Sequence, residues 1–196
     1  MLGLHARAWS SLAKRTALSA RYDFLTSFST TTNSAKSKEW ADAGLGAGRA
    51  SEDEVLNRLM FVQLGFGCDQ HGDRSKGSTK AAMRAVRDAI SFNSIPGMVH
   101  AIPGGRANML IHVKLGVPEE FPDVDCDEVA SCFPYGKLLP IEIVKGGLTF
   151  GCGRVVPELG DVDDTAIVAV CAVSLGYFDP NDTAKEPRVW KTTDGH

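Results

Sequence analysis

LMFVQLGFGCDQHGDRSKGSTKAAMRAVRDAI, residues 59–90, changes its periodicity halfway along and so decides the fold. The opening run at 59–65 is mostly apolar with β-branched and aromatic members, the composition of a strand, and it breaks at the glycine-rich segment 65–77. Ser78 suits a helix N-cap, and after it Ala82, Val86, Ala89 and Ile90 recur at helical spacing on one face. Lys80, Arg84, Arg87 and Asp88 take the other face. The order is strand, polar loop, amphipathic helix.

Towards the C-terminus, MLIHVKLGV at 109–117 alternates, with Ile111, Val113 and Leu115 on one side and His112 and Lys114 on the other. Asp125 and Glu128 have capping-box spacing ahead of a short helix whose buried side would be Val129, Cys132 and Phe133, stopped by Pro134. A strand is expected over 138–144, a turn or bulge at Gly146–Gly147, and a continuation or partner strand at 148–151. The apolar stretch 165–178 is long enough for a helix capped by Asp164, but its β-branched content favours a buried strand. These elements predict a single α+β domain over 59–180: a sheet of about four or more strands with two or so helices packed on one face.

On the N-terminal side, Ser51 and Glu54 have the spacing to start a lead-in helix, and 36–58 reads otherwise as a linker. Gly44, Gly46 and Gly48 do not form a nucleotide loop, because no strand precedes them and the spacing is wrong. Residues 1–35 carry Arg7, Lys14, Arg15 and Arg21 against one acid, Asp23, among many Ser, Thr and Ala. That is the composition of a mitochondrial transit peptide, which places the expected location in the matrix. The residues from 181 to 196 form a polar tail.

Beyond residue 45 the chain holds 15 basic and 21 acidic residues, a balance that argues against nucleic-acid binding, which rests on neutralising phosphates. No apolar stretch approaches the roughly 20 residues of a membrane span. Cys68, Cys126, Cys132, Cys152 and Cys171 are odd in number and include no C-x-x-C pair, so no disulfide framework or structural zinc site is indicated.

Three places could carry chemistry. The loop after the first strand holds Cys68, Asp69, His71 and Asp73, residue types that move protons or ligate metals, although turn-forming residues would explain it as well. His112 and Lys114 put titratable heads on one face of an otherwise apolar strand, or else that face is simply solvated. Glu142 and Lys145 stand beside Gly146 and Gly147, where backbone N–H groups could cradle an anion or the glycines could form a bulge. Arg106, beside Gly104 and Gly105, and Tyr135 are candidate pocket-lining residues. No serine elbow, P-loop or H-E-x-x-H is present, no metal is assigned, and no cofactor is identified.

The string 61–90, followed by IHVKLGVP, FPYGK and the Gly-Gly segment, resembles the Lin-type family of conserved hypothetical proteins over most of 59–178. More distantly the chain is similar to one repeat of the ring-opening amidohydrolases, the cyanuric acid hydrolase and barbiturase family. That similarity implies Lys114 as the counterpart of the catalytic lysine and a homotrimer in place of three repeats. Lys145 stands where those enzymes have a serine, so their nucleophilic mechanism does not carry over.

The functional expectation is a small-molecule enzyme, hydrolase- or lyase-like, acting on a small polar or heterocyclic anion at a subunit interface. Lys114, His71, Asp69 and His112 are the catalytic candidates, and Gly146, Gly147, Lys145, Glu142 and Arg106 the ligand-binding ones. In this reading Lys114 lies within reach of Asp69 or His71, of its own chain or a neighbour's. The alternative is a noncatalytic homo-oligomer that binds a small ligand or serves as an interaction protein.

Overall fold

The structure is a computed structural model that describes residues 45–182, apart from Asp73 and Asn93. The expected transit peptide at 1–35 and the tail beyond 182 lie outside the described residues. The elements are β1 (Gly48–Arg49), β2 (Arg58–Asp69), α1 (Thr79–Phe92), α2 (Gly97–Ala101), β3 (Leu110–Val117), α3 (Cys126–Ala130), β4 (Lys137–Leu138), β5 (Glu142–Lys145), β6 (Leu148–Gly151) and β7 (Thr165–Tyr177). The α+β architecture expected from the sequence is the one found, with seven strands in one sheet among the described residues.

The stretch 165–178 forms strand β7, the centre of the sheet, with β2 and β3 antiparallel on its two sides. Its odd-numbered residues Ile167, Ala169, Cys171 and Val173 are buried, which two-residue periodicity permits and a helix would not. On the outer side of β3, β4 pairs with its start and β5 with its end, both in parallel. The chain then steps sideways past the end of β3, so that β6 pairs with β7 in line with β3. Gly146 and Gly147 make that step. A Cβ on Gly146 would stand 3.0 Å from the Gly116 Cα, and Gly147 has φ +67° with the Val168 carbonyl oxygen 2.1 Å from where its Cβ would be.

The helices cover one face of this sheet. The inward positions of β2 opposite α1 are Gly65 and Gly67, and the facing helix residues are Ala81, Ala85 and Ala89. A Cβ on Gly65 would lie 2.3 Å from the Ala85 carbonyl oxygen, and one on Gly67 would lie 2.2 Å from that of Ala81. Helix and strand therefore meet backbone to backbone. Val86, Val113, Leu115, Val129, Ile141, Ile167 and Val173 fill the core beside this seam.

Three local expectations are corrected. Ser51 and Glu54 do bond, the Ser51 N–H donating to the Glu54 carboxylate at 2.8 Å, but they close a single turn and no helix follows. The Gly46–Gly48 part of the expected linker is bound in the sheet: β1 lies parallel to β4, and the Gly46 and Ala47 N–H groups donate to Pro134 and Phe133 carbonyls. The Ser78 side chain donates to the Phe121 carbonyl at 2.6 Å and so serves the 118–124 loop instead of capping α1. Asp125 does cap α3, accepting from the Asp127 and Glu128 N–H groups. The box stays half made, because Glu128 pairs with Lys76 and the Asp125 N–H donates to the Thr79 hydroxyl.

Gly67→Val tests the seam. Its new Cβ meets backbone atoms that no rotamer change can move, so the expected loss is about 3 kcal/mol or more in urea unfolding. A stability within 0.5 kcal/mol of the parent, roughly the noise of a neutral substitution, would contradict the close approach.

Candidate functional site

Asp69 is the last inward position of β2, in step with Gly65 and Gly67, and the alternation carries its carboxylate into the protein, where only 3% of the residue remains exposed. A charge in that position must be paired. Three cations answer it: Arg74 at 3.0 Å, Lys80 at 3.0 Å and Arg84 at 3.1 Å. Arg74 comes from the 3-10 turn Arg74–Lys76, and Lys80 and Arg84 are one turn apart on α1. Arg74 also donates to the Thr165 carbonyl and Arg84 to the Cys68 carbonyl, so this cluster ties the loop, β2, α1 and β7 together. Asp163 adds a negative charge within electrostatic reach of Arg74. Lys80 and Arg84 are the half-exposed members and face solvent.

His71 adjoins this cluster, its carbonyl accepting from the Lys80 ammonium at 3.0 Å. Its Nδ1 lies 2.8 Å from the Asp161 carboxylate, and among the described residues Nε2 makes no hydrogen bond. Asp161 also accepts from the Gly72 N–H at 2.7 Å and the Val156 N–H at 2.8 Å. Burial pushes the Asp161 carboxyl upward, but the bonds from His71, Val156 and Gly72 outweigh it and hold the group down at about 2. A carboxylate fixing one ring nitrogen orients an imidazole and leaves the other for proton transfer.

Lys114 and His112 are elsewhere. The β3–β5 register sets Lys114 opposite Glu142, with Nζ to Oε1 at 2.8 Å and His112 Nε2 to Oε2 at 3.7 Å. These three share the sheet face away from the helices, whereas Asp69 points into the helix-covered face. Within one chain Lys114 is therefore not gathered with Asp69 and His71. Strand parity, which a one-residue offset reverses, separates them. As a half-exposed pair, Lys114 and Glu142 contribute at most about 1 kcal/mol.

The other candidates are also placed. The Gly146 N–H donates to the Val117 carbonyl at 2.8 Å, so it is engaged in the sheet and does not cradle an anion. Lys145 pairs with Glu119 on the exposed surface. Arg106 stacks over Tyr135, its guanidinium carbon 4.6 Å from the ring centroid. All five cysteines are free. Burial is the largest cause raising the thiols of Cys68, Cys126, Cys132 and Cys171, the last to about 11, which keeps these four from acting as thiolates. Among the described residues no group of three His, Cys, Asp or Glu side chains is placed to hold a metal ion, and no helix is long and apolar enough to cross a membrane.

In the sequence Lys80 and Arg84 fall on the helix face opposite the apolar one, and nothing singles out Arg74 or Asp161. The available signal was the parity of β2, since a carboxylate in step with two inward glycines demands cations from whatever packs above it. Asp161, 90 residues from His71, left no local signal.

A sequence-family profile described as "Conserved hypothetical protein (Lin0512_fam)" matches residues 59–175. The crystal structure of an FtsZ-like protein of unknown function from Nostoc punctiforme PCC 73102 is 34% identical, with a TM-score of 0.52, over 63% of this chain and 100% of that one. No curated protein matches the chain.

The Asp161 value sets an acid-stability window. The folded value near 2 lies below the ordinary 3.8, so the stabilisation is complete above about pH 4 and is lost as the pH falls through 2. Melting temperatures measured from pH 4 to 2 should fall more steeply for the parent than for Asp161→Asn. Parallel curves would contradict the assignment.

Proposed function

This chain belongs to the Lin0512 family of conserved hypothetical proteins, and we propose that it is a small-molecule enzyme acting on a small polar anion at the junction of β2 and α1. The observation that carries the proposal is the His71–Asp161 pair beside the Lys80 and Arg84 side chains. Lys80 and Arg84 supply positive charge for the anion, and His71 Nε2 takes or gives the proton, held in its tautomer by Asp161. Asp69 is a positioning residue that holds both cations at the rim. With no activated nucleophile beside His71 among the described residues, the chemistry best suited to the site is proton abstraction or activation of a water, as in a lyase or hydrolase.

A second reading, a noncatalytic oligomeric binding module, is favoured by the uncovered sheet face. Leu64 and Phe66 are 69% and 67% exposed, and Val62, Val170, Leu148 and Phe150 extend the same patch. A second copy of the chain is the proposed occupant, which would also place Lys114 and His112 at a subunit boundary. The trimer and the shared Lys114 site implied by the amidohydrolase resemblance belong instead with the enzyme reading, in a form whose site lies at a subunit interface, and delivery to the mitochondrial matrix by residues 1–35 is compatible with either.

The test is a malonate titration followed at the His71 ring by NMR, with sedimentation velocity on the same samples. Saturable shifts at His71, weakened about ten-fold by Lys80→Ala, with turnover of a screened cyclic amide or hydroxy acid lost in His71→Gln, are expected. Binding that survives intact in Lys80→Ala, or no shift at His71, would overturn the enzyme reading. A monomer at every concentration would remove the oligomeric one.

A further inference from the structure

The far end of the same helix and strand encloses a cavity with different chemistry. The close seam between α1 and β2 ends at Gly65, and from there toward the start of β2 the inward residues are Gln63 and Phe61, which line a cavity between the layers. The resulting space, about 350 Å³, is bounded by the end of α1, by α2, and by β3, β7 and the 132–135 turn. That is within the range of about 300 to 1,000 Å³ typical of small-molecule sites. Phe61, Ile90, Met98, Ile111, Phe133 and Leu175 give it apolar walls, and Gln63 and Ser91 are among its few polar groups.

A cation stands against one of the lining residues. Tyr135, 37% exposed, lines the cavity, and Arg106 lies across its ring. Stacking on the ring limits where the guanidinium can go and leaves its N–H edge free to meet an acceptor in the ring plane. Among the described residues Arg106 makes no ion pair, unlike Arg49, Arg58, Arg74 and Arg84. An apolar chamber with a guanidinium stacked on one of its partly exposed lining residues fits a molecule with an apolar body and an anionic end.

We propose that this cavity binds a small amphipathic carboxylate, its hydrocarbon or aromatic part inside and its carboxylate on Arg106. The site is separate from the His71 cluster, which lies at the opposite end of α1, and the proposal does not depend on the function argued above. Selectivity follows from the two parts: apolar contact sets the strength, and the guanidinium, which offers two parallel donors, selects a carboxylate over an alcohol. Lengthening the chain tightens binding about four-fold per methylene for as long as the chamber accommodates it.

Octanoate and octanol are the probes, followed by NMR of the methionine methyl groups and the histidine rings of the full chain. Octanoate should shift Met98 and Met109, both lining residues, saturably and at least ten-fold more tightly than octanol. Arg106→Gln, a surface change that leaves the core intact, should weaken octanoate about ten-fold and leave octanol unchanged; Val99→Trp, which fills the chamber, should weaken both. Equal affinity for the two probes, an Arg106→Gln variant that binds octanoate as the parent does, or octanoate shifts at His71 in place of Met98 and Met109 would each overturn the proposal.

Discussion

The approach of α1 to β2 through Gly65 and Gly67 is the constraint on which the remaining structure depends. It brings helix backbone within contact of strand backbone, and the first consequence is electrostatic. With the helix axis so close to the strand, the short reach from Lys80 and Arg84 to Asp69 becomes possible, and a buried carboxylate at the strand end becomes tolerable. The helix also closes the sheet edge: Asp88 accepts from the Phe66 N–H at 3.1 Å and Arg84 donates to the Cys68 carbonyl, so α1 satisfies backbone groups that an outermost strand would otherwise offer to another chain. The same constraint shapes the cavity at the other end, where Gln63 and Phe61 replace glycine.

The two faces of the sheet consequently differ in kind. The helix face is a closed core that ends in the charged Asp69 cluster. The opposite face exposes Leu64, Phe66 and Val170 beside the His112, Lys114 and Glu142 group. A central strand such as β7 serves both, with Ala169 and Cys171 inward and Val170 outward, which explains why its sequence is apolar throughout instead of alternating.

The fold was legible where periodicity is strong. The strand, loop and helix of 59–90, the alternation of 110–117 and the β-branched run of 165–177 all carried their own evidence. What escaped was set by partners distant in sequence. Gly48–Arg49 lies in a stretch of linker composition and is a strand only because β4 supplies its hydrogen bonds. Of the candidate site, the loop residues Asp69 and His71 stand out in the sequence by residue type alone, and Arg106 and Tyr135 by their place in glycine-flanked loops. The meeting of Lys114 with Asp69 was not sound within one chain, because the strands that carry them point the two side chains to opposite faces. Lys114 was correctly grouped with His112, and the β3–β5 register added Glu142.

If Lys80 and Arg84 hold an anion as proposed, close packing of α1 on β2 is what places them at the rim. The most direct test is the malonate affinity of Gly67→Ala, measured where circular dichroism shows the variant still folded. The substitution touches no ligand, yet lifting α1 should pull Lys80 and Arg84 away from the rim and weaken malonate by about as much as Lys80→Ala does. Malonate binding at the parent's affinity would contradict the account.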